Sequence, residues 1–159
     1  MECIEPQLYE MGVHLEIEPT AITVSADRPL RPMSFTTEPY PGFPTDMHPQ
    51  MSVLCCLAES GISTATEGIF GARFQYTEEL QKMGVEIVLN LNQAKIFGRG
   101  ALSGAVVKAH DLRAGAAMVI AGLAAGGRTI VEDPKNCIAR GYLNFAGKLK
   151  SLGASIVEE

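Results

Sequence analysis

Three arginines and two aspartates hold most of the chemical potential of this sequence. Arg73 and Arg140 each follow a β-rich stretch, Arg113 opens an apolar helix-forming stretch, and Asp46 and Asp111 stand at the starts of two such stretches. Guanidinium forks match carboxylate and phosphate groups, and helix N-termini add positive potential. If strand ends and helix starts converge on one rim, the three cations face a common cleft suited to an anionic substrate. The competing reading pairs each arginine with a neighbouring carboxylate such as Glu67, Glu79 or Asp111. Asp46 ends a loop stiffened by Pro39, Pro41 and Pro44, which hold φ and restrict the unfolded chain. Spacing alone makes Asp46 a helix N-cap, because Asp111 occupies the equivalent place; the sharper alternative is a general base.

Other reactive side chains have milder readings. His48 and His110 flank the two aspartates and read as loop or cap residues. Cys55 and Cys56 lie inside an apolar helical stretch, as small buried hydrophobes. Cys3, Cys55, Cys56 and Cys137 form no C-x-x-C pair, so metal-ligand spacing is absent and a reduced, cytoplasmic setting is expected. Gly126-Gly127 marks a turn, since no G-x-G-x-x-G or G-K-[ST] pattern occurs. A net charge of −5 argues against general nucleic-acid binding, which needs a basic footprint. The acidic, proline-broken N-terminus is not expected to be a signal peptide. The apolar run between Arg113 and Arg128 is too short to span a bilayer, so a soluble protein is expected.

These residues are placed by an internal repeat. Leu8-Tyr9-Glu10-Met11-Gly12-Val13, Leu80-Gln81-Lys82-Met83-Gly84-Val85 and Leu149-Lys150-Ser151-Leu152-Gly153-Ala154 are versions of one phrase, with glycines 72 and 69 residues apart. Each reads as a helix ended by a left-handed glycine and followed by a strand. Upstream, Asp46 to Glu67 and Asp111 to Glu132 both span 21 residues. Periodicity gives a βαβαββ unit: a first strand (33–37 or 104–109), a core helix (46–59 or 112–125), a strand (62–67 or 128–132), a second helix (74–83 or 141–152) and a strand (85–91 or 154–158). The middle copy adds a partner strand near 94–98 across a turn at Asn92-Gln93. Residues 1–32 read as a remnant of the first repeat, whose helix and hairpin lie within 3–24. Residues 33–100 read as a complete repeat and 101–159 as a last repeat lacking its final strand. The expected class is α/β, or α+β in stricter schemes, with core helices inside and sheets outside as an inside-out α/β barrel with an unfilled place.

The segments Pro39-Tyr40-Pro41-Gly42-Phe43-Pro44-Thr45-Asp46-Met47, Ile69-Phe70 with Arg73-Phe74, Asp111-Leu112-Arg113-Ala114-Gly115-Ala116 and Arg140-Gly141-Tyr142 resemble, in order and spacing, the C-terminal half of UDP-N-acetylglucosamine enolpyruvyl transferases. The similarity covers nearly the whole chain. It implies transfer of the enolpyruvyl group of phosphoenolpyruvate to a sugar hydroxyl of UDP-N-acetylglucosamine, through a tetrahedral addition–elimination intermediate, in peptidoglycan synthesis. Under it, Asp46 is catalytic and deprotonates the hydroxyl. Ile69 meets the nucleotide sugar through its backbone, and Arg113 and Arg140 face the phosphoenolpyruvate carboxylate or phosphate, with Arg73 nearby. Asp111 joins these as a substrate-binding position. No metal or organic cofactor is implied.

The chain departs from the family pattern at His48, where a glutamine is usual, at Gly71-Ala72, where acidic and amide residues commonly precede the arginine, and across Cys137–Leu143, where flanking charges are lost. The family's Lys-Asn pair and its mobile-loop general acid belong to an N-terminal domain with no counterpart here. The expected partners are therefore both substrates together with that N-terminal domain or a second copy of the chain. The alternatives are a non-catalytic binding or assembly module of the same fold, and a relative of the enolpyruvylshikimate-phosphate synthases, whose segments match less well.

Overall fold

The computed structural model describes residues 2–71 and 73–158. Ala72, one of the two positions that depart from the family pattern before Arg73, lies outside the described residues, as does Met1 of the expected non-signal N-terminus. The first repeat phrase forms α1 (Glu5–Glu10), followed by a hairpin of β1 (His14–Ile17) and β2 (Ile22–Ser25). The middle repeat runs through β3 (Ser34–Thr36), a 3-10 turn at Thr45–Met47, α2 (His48–Cys56), β4 (Ile62–Thr66) and α3 (Gln75–Lys82) to the hairpin β5 (Glu86–Asn90) and β6 (Gln93–Phe97). The last repeat contains β7 (Leu102–Ser103), β8 (Val106–Lys108), α4 (Leu112–Ala124), β9 (Ala125–Gly126), β10 (Ile130–Glu132), α5 (Cys137–Gly141) and α6 (Phe145–Ser151). Gly12, Gly84 and Gly153 all take positive φ, between 89° and 95°. Only glycine enters that region without penalty, so one stop signal is used three times.

The architecture is the expected α/β arrangement. The middle repeat forms one sheet in the order β3-β4-β6-β5, with β3 and β4 parallel and the other pairs antiparallel. The last repeat copies its first half as the parallel pair β8–β10. α2 and α4 pack on each other. Met51, Val53 and Cys56 of α2 join Ala114, Ala117, Met118 and Ala121 of α4 in one buried cluster with the inner faces of the strands. The alanines on α4 leave little side chain between the helix axes, and Gly115 goes further. A Cβ there would sit 2.7 Å from Ile138 Cγ1 and 2.9 Å from Ala109 Cβ, so α5 and the end of β8 approach the helix where it carries no side chain.

Several elements differ from expectation. The core helix expected over 46–59 is split into the 3-10 turn and a shorter α2. The hairpin turn is Leu91-Asn92, one residue earlier than read, because Asn90 pairs with Gln93; exposed Leu91 takes the positive φ of 53°. The helix expected over 141–152 is broken into α5 and α6 by Asn144, whose φ of 51° cannot continue a right-handed helix. Residues 154–158, read as a strand, are irregular. Their counterpart β5 is held by β6, and no strand among the described residues lies beside 154–158 to take up the backbone groups. The repeat register also shifts. Phe35 opposes Ala65, and its counterpart Val107 opposes Val131, so the position matching Glu67 is Asp133 rather than Glu132.

His48 is not a loop or cap residue but part of the core, fully buried and edge-on to Phe35, Phe74 and Tyr76. Ser52 donates to the His48 carbonyl at 2.9 Å, so Tyr76 donates to Ser52 Oγ (2.8 Å) and His48 Nδ1–H donates to the Tyr76 oxygen (3.0 Å). Nε2 is then a bare lone pair, buried without a partner among the described residues. Burial lowers the His48 pKa from 6.5 to about 4; the Glu67 carboxylate opposes the shift and Arg73 reinforces it. A base whose folded pKa is depressed stabilises the fold in its neutral form. That stability is complete above 6.5 and is lost as pH falls toward 4, a loss on the order of 3 kcal/mol. Denaturant titrations across this window are expected to show the decline, and His48→Gln should flatten its slope even if the variant is less stable at neutral pH.

Candidate functional site

Asp46 and Asp111 hold equivalent places in the repeat yet do different things. Asp111 is a true N-cap: its carboxylate accepts the amides of Arg113 (2.7 Å) and Ala114 (2.9 Å), two and three residues on. Asp46 makes no such bonds. The amide two residues on, His48, already donates to the Thr45 carbonyl, and the residue three on is Pro49, which has no amide. The capping expectation therefore fails for Asp46, and its carboxylate is left for other partners.

Those partners are two of the three arginines. Arg113 Nη2 donates to Asp46 Oδ2 at 2.6 Å and Arg73 Nη1 donates to Oδ1 at 3.3 Å. The cations come from different repeats, across the interface where α2 meets α4. Arg113, held at the start of α4 by the Asp111 cap, also donates to the Tyr142 hydroxyl at 3.1 Å. Its guanidinium is 5.9 Å from that ring's centre, so the contact runs through the hydroxyl rather than the ring face. The Tyr142 bond favours the charged guanidinium over the cost of its partial burial. Arg73 lies over the Phe70 ring at 4.4 Å and donates to Thr45 Oγ1 at 3.4 Å. Asp46 keeps 48% of its side-chain surface exposed, against 39% for Arg73 and 35% for Arg113, so all three are open to a ligand.

The remaining expected residues fall around this cluster. Ile69 is partly exposed on the turn after β4, and its amide donates to Glu67 Oε1. Arg140 is exposed on α5 and contacts Cys137 Sγ at 3.6 Å; it does not join Arg73 and Arg113 on Asp46. Tyr142, two residues on, does reach the cluster, because Gly141 packs directly on Leu112. Glu67 and Glu79, named as possible arginine partners, are instead buried. Glu79 holds Lys82, His110 and the Lys108 amide. Burial alone would raise both carboxyls, but their hydrogen bonds outweigh it and hold them below the ordinary range. All four cysteines are free, and burial pushes the Cys55 thiol up to about 12. Among the described residues no group of three His, Cys, Asp or Glu side chains could hold a metal, and no helix is long and apolar enough to cross a membrane. A separate cleft of about 480 Å³ lies between α1 and β3, and no cation among the described residues lines it.

A carboxylate gripped by two exchangeable guanidinium forks suits proton abstraction beside an anion. The family model described as EPSP synthase (3-phosphoshikimate 1-carboxyvinyltransferase) matches residues 1–149. The chain belongs to this EPSP synthase family. Within the family it is 50% identical over 157 residues to UDP-N-acetylglucosamine 1-carboxyvinyltransferase 3 of Caldanaerobacter subterraneus, covering 99% of this chain and 37% of that one. It is 47% identical to UDP-N-acetylglucosamine 1-carboxyvinyltransferase 1 of Staphylococcus epidermidis, covering 94% and 35%. Among solved structures, the enolpyruvyl transferase NikO from Streptomyces tendae aligns with a TM-score of 0.88 at 29% identity, over 97% of this chain and 35% of its own. The EPSP synthase of Acinetobacter baumannii shares the fold, with a TM-score of 0.69 at 15% identity over 99% and 37%. The chain thus spans little more than a third of the length of the family members it matches.

The different duties of the two aspartates can be separated by stability. Asp111→Ala is expected to cost about 1 kcal/mol through the lost cap. Asp46→Ala, which breaks only half-exposed ion pairs, should cost less than about 1 kcal/mol. Urea unfolding of both variants would show the reversed order if Asp46 were the stronger cap.

Proposed function

We propose that this chain is the part of a UDP-N-acetylglucosamine 1-carboxyvinyltransferase that supplies the general base and part of the anion-binding surface. The observation that carries the reading is the uncapped Asp46 carboxylate held between Arg73 and Arg113, in a chain 45–50% identical to enzymes of that name. The A. baumannii EPSP synthase structures are 15–16% identical, so the nucleotide sugar is favoured over shikimate phosphate as acceptor.

The chemistry follows from the charges. When the carboxylate or phosphate of phosphoenolpyruvate enters, it competes with Asp46 for the same guanidinium protons. Arg113, anchored by the Asp111 cap and by Tyr142, and Arg73, stacked on Phe70, turn from Asp46 to the substrate. Asp46 is thereby released to accept the proton of a sugar hydroxyl as its oxygen attacks the enolpyruvyl carbon. The arginines then face the charge on the tetrahedral adduct and on the departing phosphate. In the addition step the substrate methylene takes a proton from an acid outside this cluster, and as phosphate leaves the resulting methyl gives a proton back to restore the enol double bond. An N-terminal domain of such an enzyme would supply the group for both transfers. Ile69 already gives its amide to Glu67, so its backbone contact to the nucleotide sugar would use the carbonyl. Arg140, exposed and in contact with Cys137 Sγ, would have to swing inward to meet phosphoenolpyruvate.

Supplied with a separately produced N-terminal domain of such an enzyme, the chain is expected to release phosphate from phosphoenolpyruvate only when UDP-N-acetylglucosamine is present. Asp46→Asn should slow that release about a hundredfold or more. Arg113→Lys, which loses the bidentate fork, should chiefly raise the phosphoenolpyruvate KM. An undiminished rate with Asp46→Asn would overturn the assignment. Release driven by shikimate phosphate instead would move the chain to the other acceptor.

A further inference from the structure

Glu67 is 2% exposed, yet its carboxylate accepts four hydrogen bonds. Oε1 takes the Thr37 hydroxyl (2.5 Å) and the amides of Ile69 (2.9 Å) and Phe70 (3.1 Å); Oε2 takes the Thr45 hydroxyl (2.7 Å). These four donors are not a random sample of the surroundings. Ile69 and Phe70 form the turn that leads to Arg73, and Phe70 is the ring on which the guanidinium lies. Thr45 precedes Asp46, and its oxygen accepts from Arg73 Nη1. One buried anion thus ties the turn of the arginine to the backbone of the aspartate. Gly68 completes the arrangement: its amide donates to Thr37 Oγ1, and a Cβ there would lie 2.4 Å from the Thr37 carbonyl oxygen.

The repeat makes the same arrangement twice. Asp133, the register equivalent of Glu67, accepts the amides of Cys137 (2.7 Å) and Ile138 (2.9 Å) and so fixes the segment that bears Arg140 and Tyr142. Two repeats, each following a parallel strand with an acid, use that acid to anchor the turn from which a cation or its partner is presented. The bonds to Glu67 outweigh the cost of its burial and so stabilise the fold, but the same holds for Glu79. What sets Glu67 apart is that its donors flank the Asp46–Arg73 pair.

We propose that Glu67 is a positioning residue for the proposed transfer reaction: through Thr45 and the Ile69–Phe70 turn it sets where Arg73 meets Asp46 and the incoming anion. This rests on the reading of the Asp46 cluster as the substrate site. Glu67→Gln keeps the size and the oxygen that serves the turn, but replaces the Thr45 acceptor with a donor and so reverses the Thr45 hydroxyl. Thr45→Val removes the same link from the other side. Glu79→Gln is the matched control: Glu79 is also 2% exposed and multiply bonded, but contacts neither Asp46 nor Arg73 among the described residues.

The experiment is carried out on the full chain with two readouts, each made alongside thermal unfolding. The first is guanidinium rotation of Arg73 and Arg113 by NMR, without ligand. The second is calorimetric titration with UDP-N-acetylglucosamine. Glu67→Gln and Thr45→Val are expected to speed rotation of Arg73 but not of Arg113, and to weaken nucleotide-sugar affinity about tenfold. Glu79→Gln should leave both unchanged at a comparable loss of stability. Unchanged Arg73 rotation in Glu67→Gln, or equal changes in Glu79→Gln, overturns the positioning role. If the unsubstituted chain binds no nucleotide sugar, the substrate reading fails in the second arm alone, while the rotation data still decide what Glu67 does.

Discussion

The geometry of this site depends on one missing hydrogen bond. A helix start offers free amides to the side chain that precedes it, and an aspartate there is normally consumed as a cap. Asp111 follows that rule. Asp46 escapes it because His48 spends its amide on Thr45 and Pro49 has none to give. A carboxylate that would otherwise be locked against its own backbone is left to two guanidinium groups from neighbouring repeats. Proline is therefore more than a stiffener of the preceding loop: two residues past the turn, Pro49 keeps the acid available.

The rest of the site follows from placing charges around that carboxylate. Arg113 is aimed by the cap of the equivalent aspartate and by Tyr142, so the capping residue in one repeat serves the uncapped one in the other. Arg73 is aimed by a ring and a hydroxyl that both trace back to buried Glu67. The surface ion pairs themselves add little to stability. Their weakness suits the proposed reaction, in which a substrate anion would displace them without unfolding anything. The rigid parts lie beneath, in the alanine-lined contact of α4 with α2 and the close approach at Gly115.

Much of the fold was legible in the sequence, because the repeated helix–glycine–strand phrase forces the same backbone turn three times. The class, the strands of the middle repeat and the central helices follow from it. Elements that depend on a distant partner were not legible. Residues 154–158 have strand-like composition but no neighbouring strand among the described residues, and the break at Asn144 reflects a left-handed residue that periodicity does not register. Within the site, Asp46, Arg73 and Arg113 could be named and expected on one cleft if strand ends and helix starts converge, but the direct pairing of Asp46 with both arginines could not be read. The signal that separates Asp46 from a cap is Pro49, three residues on in the sequence. Tyr142 was visible only as part of Arg140-Gly141-Tyr142, and Arg140 stands apart because Gly141 turns the tyrosine, rather than the arginine, toward Leu112 and Arg113. The match of Glu67 to Glu132 by spacing was off by one residue, since strand register rather than distance along the chain decides which acid, Asp133, does the equivalent work.

The most direct test of the account follows the side-chain carboxyl carbons of Asp46 and Asp111 by NMR during titration with UDP-N-acetylglucosamine, with phosphate added to occupy the arginines. The account predicts that the Asp46 resonance moves as its guanidinium partners are exchanged for a sugar hydroxyl, while Asp111, bound to its own helix, stays in place. Movement of Asp111 with Asp46 unchanged would contradict it, because the capped aspartate would then be the one that meets the substrate.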